Sequence, residues 1–247
     1  VGDRFAGGTT QGLSQESVEE FQVSTFNFDA ATGLTGSGAI NIVTRAGTNA
    51  MHGSAFLYFR DHHLAAYPGL RRDPLSPGTP FFARRQSGGS AGGPVIQDRV
   101  FWFANYERNN QDAVFAIANN HPVFSKFDGI FANPLDGHQF NVRIDGRVSD
   151  SQHLFVRYSG DRNETITPAA NVGLPSNWQS IRNTAQQAQA GLTTIVTLSL
   201  VNDLRVSFSQ LDGAIDPIAA TDCRDPVACV GAGQPAVRVF DAPQFRF

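Results

Sequence analysis

Catalysis or ligation needs nucleophiles, acids, bases or metal ligands at set spacings, and this chain holds few candidates. Three of its six histidines, His52, His62 and His63, lie close together in sequence. Their spacing matches no zinc motif, and the His62-His63 pair falls in a Pro-, Gly- and Arg-rich stretch from Asp61 to Pro80. The expectation is therefore an exposed loop with no metal. Asp145 with Asp161, or Glu19 with Glu20, could be imagined as an acid and base pair. No Ser/His/Asp or Cys/His order and no nucleophile elbow accompanies them, so an enzyme is not expected and no cofactor is implied. The run Gly88-Gly89-Ser90-Ala91-Gly92-Gly93-Pro94 is glycine-rich like a phosphate cradle but lacks the Lys-Ser/Thr pair and the following helix, which makes strand packing the better reading. Cys223 and Cys229, in CRDPVAC, have no second cysteine pair or histidine cluster at zinc spacing nearby. They read as a loop disulfide of an oxidising compartment, with two free thiols as the alternative. Asn163-Glu164-Thr165 fits the glycosylation pattern, a match short enough for chance to explain.

Bulk properties narrow the classes further. With 247 residues the chain has room for about one and a half domains of roughly 150 residues. Lys+Arg 19 against Asp+Glu 22 leaves a net charge of −3, so there is no global basic field and no nucleic-acid partner is expected. Charged residues are 17%, below the roughly 25% of soluble domains, alongside 24 Gly, 20 Phe and 13 Pro; that mixture suggests many strands and turns. The longest apolar runs, such as Val114 to Ala118, fall far short of the roughly 18 residues a transmembrane helix needs. Helical membrane proteins are excluded, whereas membrane barrels are not, because their strands are only half apolar. The opening VGDRFAGGTTQG lacks a basic region followed by an apolar one, so an export signal, if used, lies upstream.

The elements that must position these residues are strands. Phe140, Val142, Ile144, Gly146 and Val148 alternate with Asn141, Arg143, Asp145 and Arg147, which is period two with a polar opposite face. A tight turn at Ser149 to Gln152 returns a strand with Leu154, Val156 and Tyr158 on one face and His153, Phe155, Arg157 and Ser159 on the other. The same pattern recurs in HGSAFLYFR, FFARRQSGGSAGGPV, VFWFANYER, QQAQAGLTTIVTL and LRVSFSQL, giving about seven strands. Connections alternate between long and short, as in outer-membrane barrels with tight turns at one end and long loops at the other. Polar rows of Arg, Asp, Gln and Asn suit a wet lumen, and Tyr106 and Tyr158 near strand ends suit an interfacial girdle. A soluble β-sandwich also alternates, but its loops need not sort by length.

SVEEFQV, the glycine-rich approach to GAINIVTRAGTN, then HGSAFLYFR, GGSAGGPVIQDRVFWFANYE and FNVRIDGRVSDSQHLFVRYS, in that order over residues 16 to 160, resemble TonB-dependent outer-membrane receptors of the Oar-like group. The resemblance implies an all-β chain: a partial antiparallel transmembrane barrel, about seven strands of a larger one, preceded by the C-terminal part of a plug domain. Receptors of this kind hold a plug inside about 22 strands, so residues 1–50 would be the end of the plug and residues 51–247 the first strands and loops of an incomplete barrel. It further implies the outer membrane of a Gram-negative bacterium, contact with outer-membrane lipid, coupling to a TonB–ExbB–ExbD complex through a missing N-terminal region, and uptake of an extracellular ligand. Plug–lumen contacts are then expected from Glu19, Glu20 and Arg45, pairing with Arg143, Arg147 or Arg157 and with Asp145. The long loops, around Asp61 to Pro80, Asn109 to Asp136, Arg162 to Asn183 and beyond Asp212, offer Arg71, Arg72 and Trp178 as ligand candidates together with the Cys223 and Cys229 pair. Two other classes remain open: an Oar-type adhesion or structural protein without transport, and a soluble β-sandwich binding module.

Overall fold

The computed structural model describes residues 12–24, 39–66, 79–117, 129–168, 178–218, 236–237 and 245–246. A 3₁₀ turn, Gln15–Ser17, is capped by Ser14, whose hydroxyl accepts from the Glu16 N–H. It leads into β1 (Val18–Ser24), which pairs antiparallel with β2 (Ala39–Thr44) to form a small sheet. Seven strands follow: β3 (His52–Asp61), β4 (Phe82–Ile96), β5 (Val100–Ile117), β6 (Gly129–Ser149), β7 (Gln152–Pro168), β8 (Trp178–Thr197) and β9 (Leu200–Pro217). They form one sheet in which every strand is antiparallel to its sequence neighbour, in the order β3-β4-β5-β6-β7-β8-β9. The sheet is not closed, and β3 and β9 are its edges. Two short strands, β10 (Ala236–Val237) and β11 (Phe245–Arg246), pair with each other. No α-helix occurs among the described residues, and no helix is long and apolar enough to cross a membrane.

The tight turns lie at Gln97–Arg99, Ser149–Gln152 and Thr197–Leu200, all at one end of the sheet. Asp98 takes a φ of 61° there, a left-handed conformation that Asp tolerates better than most non-glycine residues. At the other end β6 runs for 21 residues and β8 for 20, about twice the 9–11 residues that cross a bilayer. The strands therefore continue well past any membrane. This corrects the expected loop boundaries: much of Asn109 to Asp136 and of Arg162 to Asn183 is strand, because apolar alternation disappears there while the hydrogen-bonded ladder continues.

Burial across the sheet is inverted. Val142 and Val156 are 41% and 47% exposed, while Asn141 and Ser159 are 1% and 0% exposed. The apolar row includes Phe140 and Ile144 on β6, Leu154 on β7 and Leu204, Val206 and Phe208 on β9, all exposed. Such a face is stable in lipid and unfavourable in water at about 25 cal/mol per Å². On β5 to β7 the band ends at Tyr106, Phe140 and Tyr158, which lie partway along their strands rather than near strand ends as the pattern suggested, while on β3 it runs on through the exposed Leu57 and Phe59. Tyr106 Oη is 2.7 Å from His138 Nδ1, Tyr158 donates to Gln186 Oε1 at 2.8 Å, and the Phe140 and Tyr158 rings are 5.6 Å apart. Beyond this girdle the outward positions carry ion pairs, Arg108 with Asp136 at 2.9 Å and Arg182 with Asp216 at 2.7 Å. Glycines serve close packing: Phe56, Phe140 and Phe155 each cover the glycine directly across the ladder, Gly88, Gly160 and Gly191, where an added Cβ would meet the ring.

Candidate functional site

The polar face of the sheet is where the small N-terminal sheet docks. Alternation puts Gln86 and Ser90 of β4, Phe103, Asn105 and Glu107 of β5, Asn141, Arg143 and Asp145 of β6, and Arg157, Ser159 and Asp161 of β7 on this face, in register across the ladders. Ser14 donates its hydroxyl to Glu107 Oε2 at 2.6 Å, and Gln86 donates to the other carboxylate oxygen at 2.6 Å. Both Ser14 and Glu107 are buried. The Gly12 N–H donates to Asp161 Oδ2 at 2.8 Å. Ser54 of β3 donates to Glu16 Oε2 at 2.6 Å. Arg143 reaches the end of β2, donating from Nη1 to the Thr44 carbonyl at 2.7 Å and to the Thr44 hydroxyl at 3.2 Å. Its other nitrogens hold Asp145, Nη2 to Oδ1 at 2.7 Å and Nε to Oδ2 at 2.9 Å, while its guanidinium lies over the Phe155 ring at 5.2 Å.

Below this contact the connection from β2 to β3 crosses the wall. Gly47 lies so close to the Trp102 backbone that a Cβ would collide with it. Asn49 then clasps the β4–β5 turn, donating from Nδ2 to Asp98 Oδ1 at 2.6 Å and accepting from the Asp98 N–H at 2.8 Å. A cavity of about 550 Å³ opens here, lined by Asn49, Arg143, Asp145, Arg147, His153 and Phe155 among others. Hydrogen bonds to charged groups contribute about 1.5–3 kcal/mol each, so a few of them seat the small sheet firmly while leaving the seam polar. The buried side-chain amides of Asn105 and Asn141 have no hydrogen-bond partner, so polar capacity at the seam exceeds its bonding.

The predicted site residues divide unevenly. Arg143 and Asp145 lie at the contact. Arg157 stands opposite Arg143 and donates from Nη2 to Gln187 Oε1 at 2.9 Å. Arg147 is exposed at the cavity and touches the turn through its backbone N–H, which donates to the Arg99 carbonyl at 2.7 Å. Arg45 does not pair with Asp145. Its Nη1 lies 3.7 Å from Glu16 Oε2 and its Nε donates to the Val18 carbonyl at 3.2 Å, while Asp145 is held by its strand neighbour Arg143 two residues away on the same face. Glu19 and Glu20 are exposed and belong to no ion pair among the described residues. Trp178 is not a loop residue: it opens β8, is buried, and packs edge-on against Phe131 at 5.7 Å. Arg71, Arg72, Cys223 and Cys229 lie outside the described residues. Sequence reasoning missed Gly12, Ser14, Glu16, Thr44 and Glu107. Glu107 had a signal, being the only carboxylate on the inward row Phe101, Phe103, Asn105, Glu107; Ser14 and Gly12 had none.

At the opposite end, Asp61 closes β3 and caps a 3₁₀ turn, His62–Leu64, accepting from the His63 N–H at 2.9 Å. This backbone hydrogen bond, and then the one to the His63 ring, hold the Asp61 carboxyl below its ordinary pKa.

A model of the outer membrane β-barrel domain family matches residues 43–132 and 114–246. The chain belongs to this family. The inverted burial follows from that: the apolar band of this barrel wall faces outer-membrane lipid and the polar face lines the interior. Over 100 residues the chain is 31% identical to the TonB-dependent transporter Oar of Myxococcus xanthus, a stretch that covers 38% of this chain and 9% of that protein. No solved structure matches. The unclosed sheet is thus part of a barrel rather than half of a sandwich, and no second large sheet covers it among the described residues.

Proposed function

We propose that this chain is the end of a plug domain and the first seven wall strands of a TonB-dependent receptor of the Oar-like group, in the outer membrane of a Gram-negative bacterium. Its task is import of an extracellular ligand, driven through a TonB–ExbB–ExbD complex that engages a region N-terminal to these residues. It performs no covalent chemistry and needs no cofactor. The observation that carries the reading is the docking of residues 12–17 and 39–47 on the interior face through Ser14–Glu107, Gly12–Asp161 and Arg143–Thr44. These contacts are polar, few and confined to one side, which suits an element that must be seated yet displaced. The similarity to a TonB-dependent transporter supports the same reading.

The test is a cysteine at Arg157, half-buried on the interior face across the ladder from Arg143, in the full-length protein in living cells. Labelling by a membrane-impermeant maleimide is expected to rise several-fold in energised cells and to fall to background when TonB is deleted. Labelling that ignores TonB would sink transport and leave an adhesion or structural role.

A further inference from the structure

We propose that Asp61 Oδ1, His62 Nδ1 and His63 Nδ1 form a binding site for a divalent transition-metal cation of the zinc, nickel or copper class at the long-loop rim of the barrel. The three ligand atoms lie within 4.8 Å of one another. Asp61 Oδ1 is 2.6 Å from His63 Nδ1 and 3.4 Å from His62 Nδ1, so small side-chain rotations bring all three onto one ion at the roughly 2.0–2.2 Å of imidazole and carboxylate bonds. Two imidazoles and one carboxylate select these metals over calcium or magnesium, which prefer all-oxygen shells.

The second observation is the state of the ligands. His62 Nδ1 is buried and has no hydrogen-bond partner although it faces the carboxylate, and a buried imidazole nitrogen left unsatisfied is an unusual arrangement. The scaffold around the ligands is built. Asp61 is held in the sheet by its pairing with Ala83, its carboxylate is oriented by the His63 N–H, and the His62 ring packs against the His63 ring at 3.9 Å and the Phe81 ring at 5.0 Å. His63 remains exposed, leaving an entry path. Position along the strand sets the side of the membrane. Asp61 lies six residues beyond Ala55, which is level with Tyr106 of the girdle through Gly89, so the site stands about 20 Å further along the wall at about 3.3 Å per residue. It faces the compartment of the long connections whether or not anything is imported.

The experiment compares the full-length protein in detergent with its H62A/H63A and D61N variants, each stripped with chelator and titrated with Zn²⁺. Wild type is expected to bind one equivalent more than H62A/H63A, and D61N to bind that equivalent at least tenfold more weakly. With Cu²⁺, the electron paramagnetic resonance spectrum should show coupling to two more imidazole nitrogens in wild type than in H62A/H63A. Equal Zn²⁺ stoichiometry in wild type and H62A/H63A would overturn the site and leave Asp61 as a turn cap alone. Should H62A/H63A lose the heat-dependent gel shift of a folded barrel, the single variants H62N and H63N decide through the same spectrum: unchanged nitrogen coupling overturns the proposal, loss of one nitrogen in each supports it.

Discussion

The interior faces of β5 to β7 and of β9 carry the same kind of residues and live in different surroundings. On β5 to β7 the inward row, Asn105, Glu107, Asn141, Ser159 and Asp161, is buried, and its two carboxylates are bonded to Ser14 and Gly12 of the N-terminal segment. On β9 the inward row Asp203, Arg205, Ser207 and Ser209 is exposed, and among the described residues Arg205 pairs only with Asp203 two residues earlier on its own strand, at 2.8 Å. Alternation decides which face a side chain is on. It does not decide what covers that face, and only a covered polar group carries an energetic obligation to a specific partner.

That contrast can be broken most severely at its covered end. Gly47→Val places a side chain against the Trp102 backbone, which cannot yield as a flexible side chain would. The expected outcome is release of the N-terminal segment in the full-length protein, read as rapid proteolysis of residues 12–47 while the heat-dependent gel shift of the barrel persists. Arg143→Ala comes next. It frees the Thr44 carbonyl and leaves Asp145 half-buried without its cation, a loss of about 2–4 kcal/mol in segment retention, measured by urea dependence of the same proteolysis. Ser14→Ala removes one buried bond to a carboxylate that keeps Gln86, so its effect should be smaller, about 1–2 kcal/mol. Arg205→Ala, on the uncovered row, should change retention by less than about 0.5 kcal/mol, as exposed ion pairs do. A large effect at Arg205 would mean that something else in the full protein covers β9. Equal effects at Ser14 and Arg205 would dissolve the contrast altogether.

Much of the wall was legible because a barrel strand advertises itself twice, by period-two alternation and by tight turns. Ser149 to Gln152 was readable as a turn, and the rows Phe140 to Val148 and Leu154 to Tyr158 were assigned to the correct faces. Legibility failed where the period of two is lost. From Asn109 to Asp112 both rows are polar, from Ala113 to Ile117 both are apolar, and from Gly129 to Asp136 neither row keeps one character, so a ladder of backbone bonds looked like loop. The site was legible only in part. Arg143 and Asp145 stand out as charges on a polar row. That Asp145 would be taken by Arg143, and Arg45 by Glu16, depends on which neighbour lies nearest in space. His62 and His63 were set aside because ligand motifs are defined by spacing. Here a capped turn at a strand end brings adjacent residues together instead, an arrangement no spacing rule describes.

The residues alone determined the class of the chain: strands of alternating polarity, too few charges and too many exposed apolar positions for water on both faces, and turns sorted to one end. These are local properties, set by the two-residue period of an extended backbone and by the solvent each face must meet. Tertiary structure alone decided how far the ladders run, which polar groups the N-terminal segment buries, and which cations hold which carboxylates. Those outcomes depend on distances between segments far apart in sequence, such as Ser14 and Glu107 or Thr44 and Arg143, and a one-dimensional pattern contains no such distances.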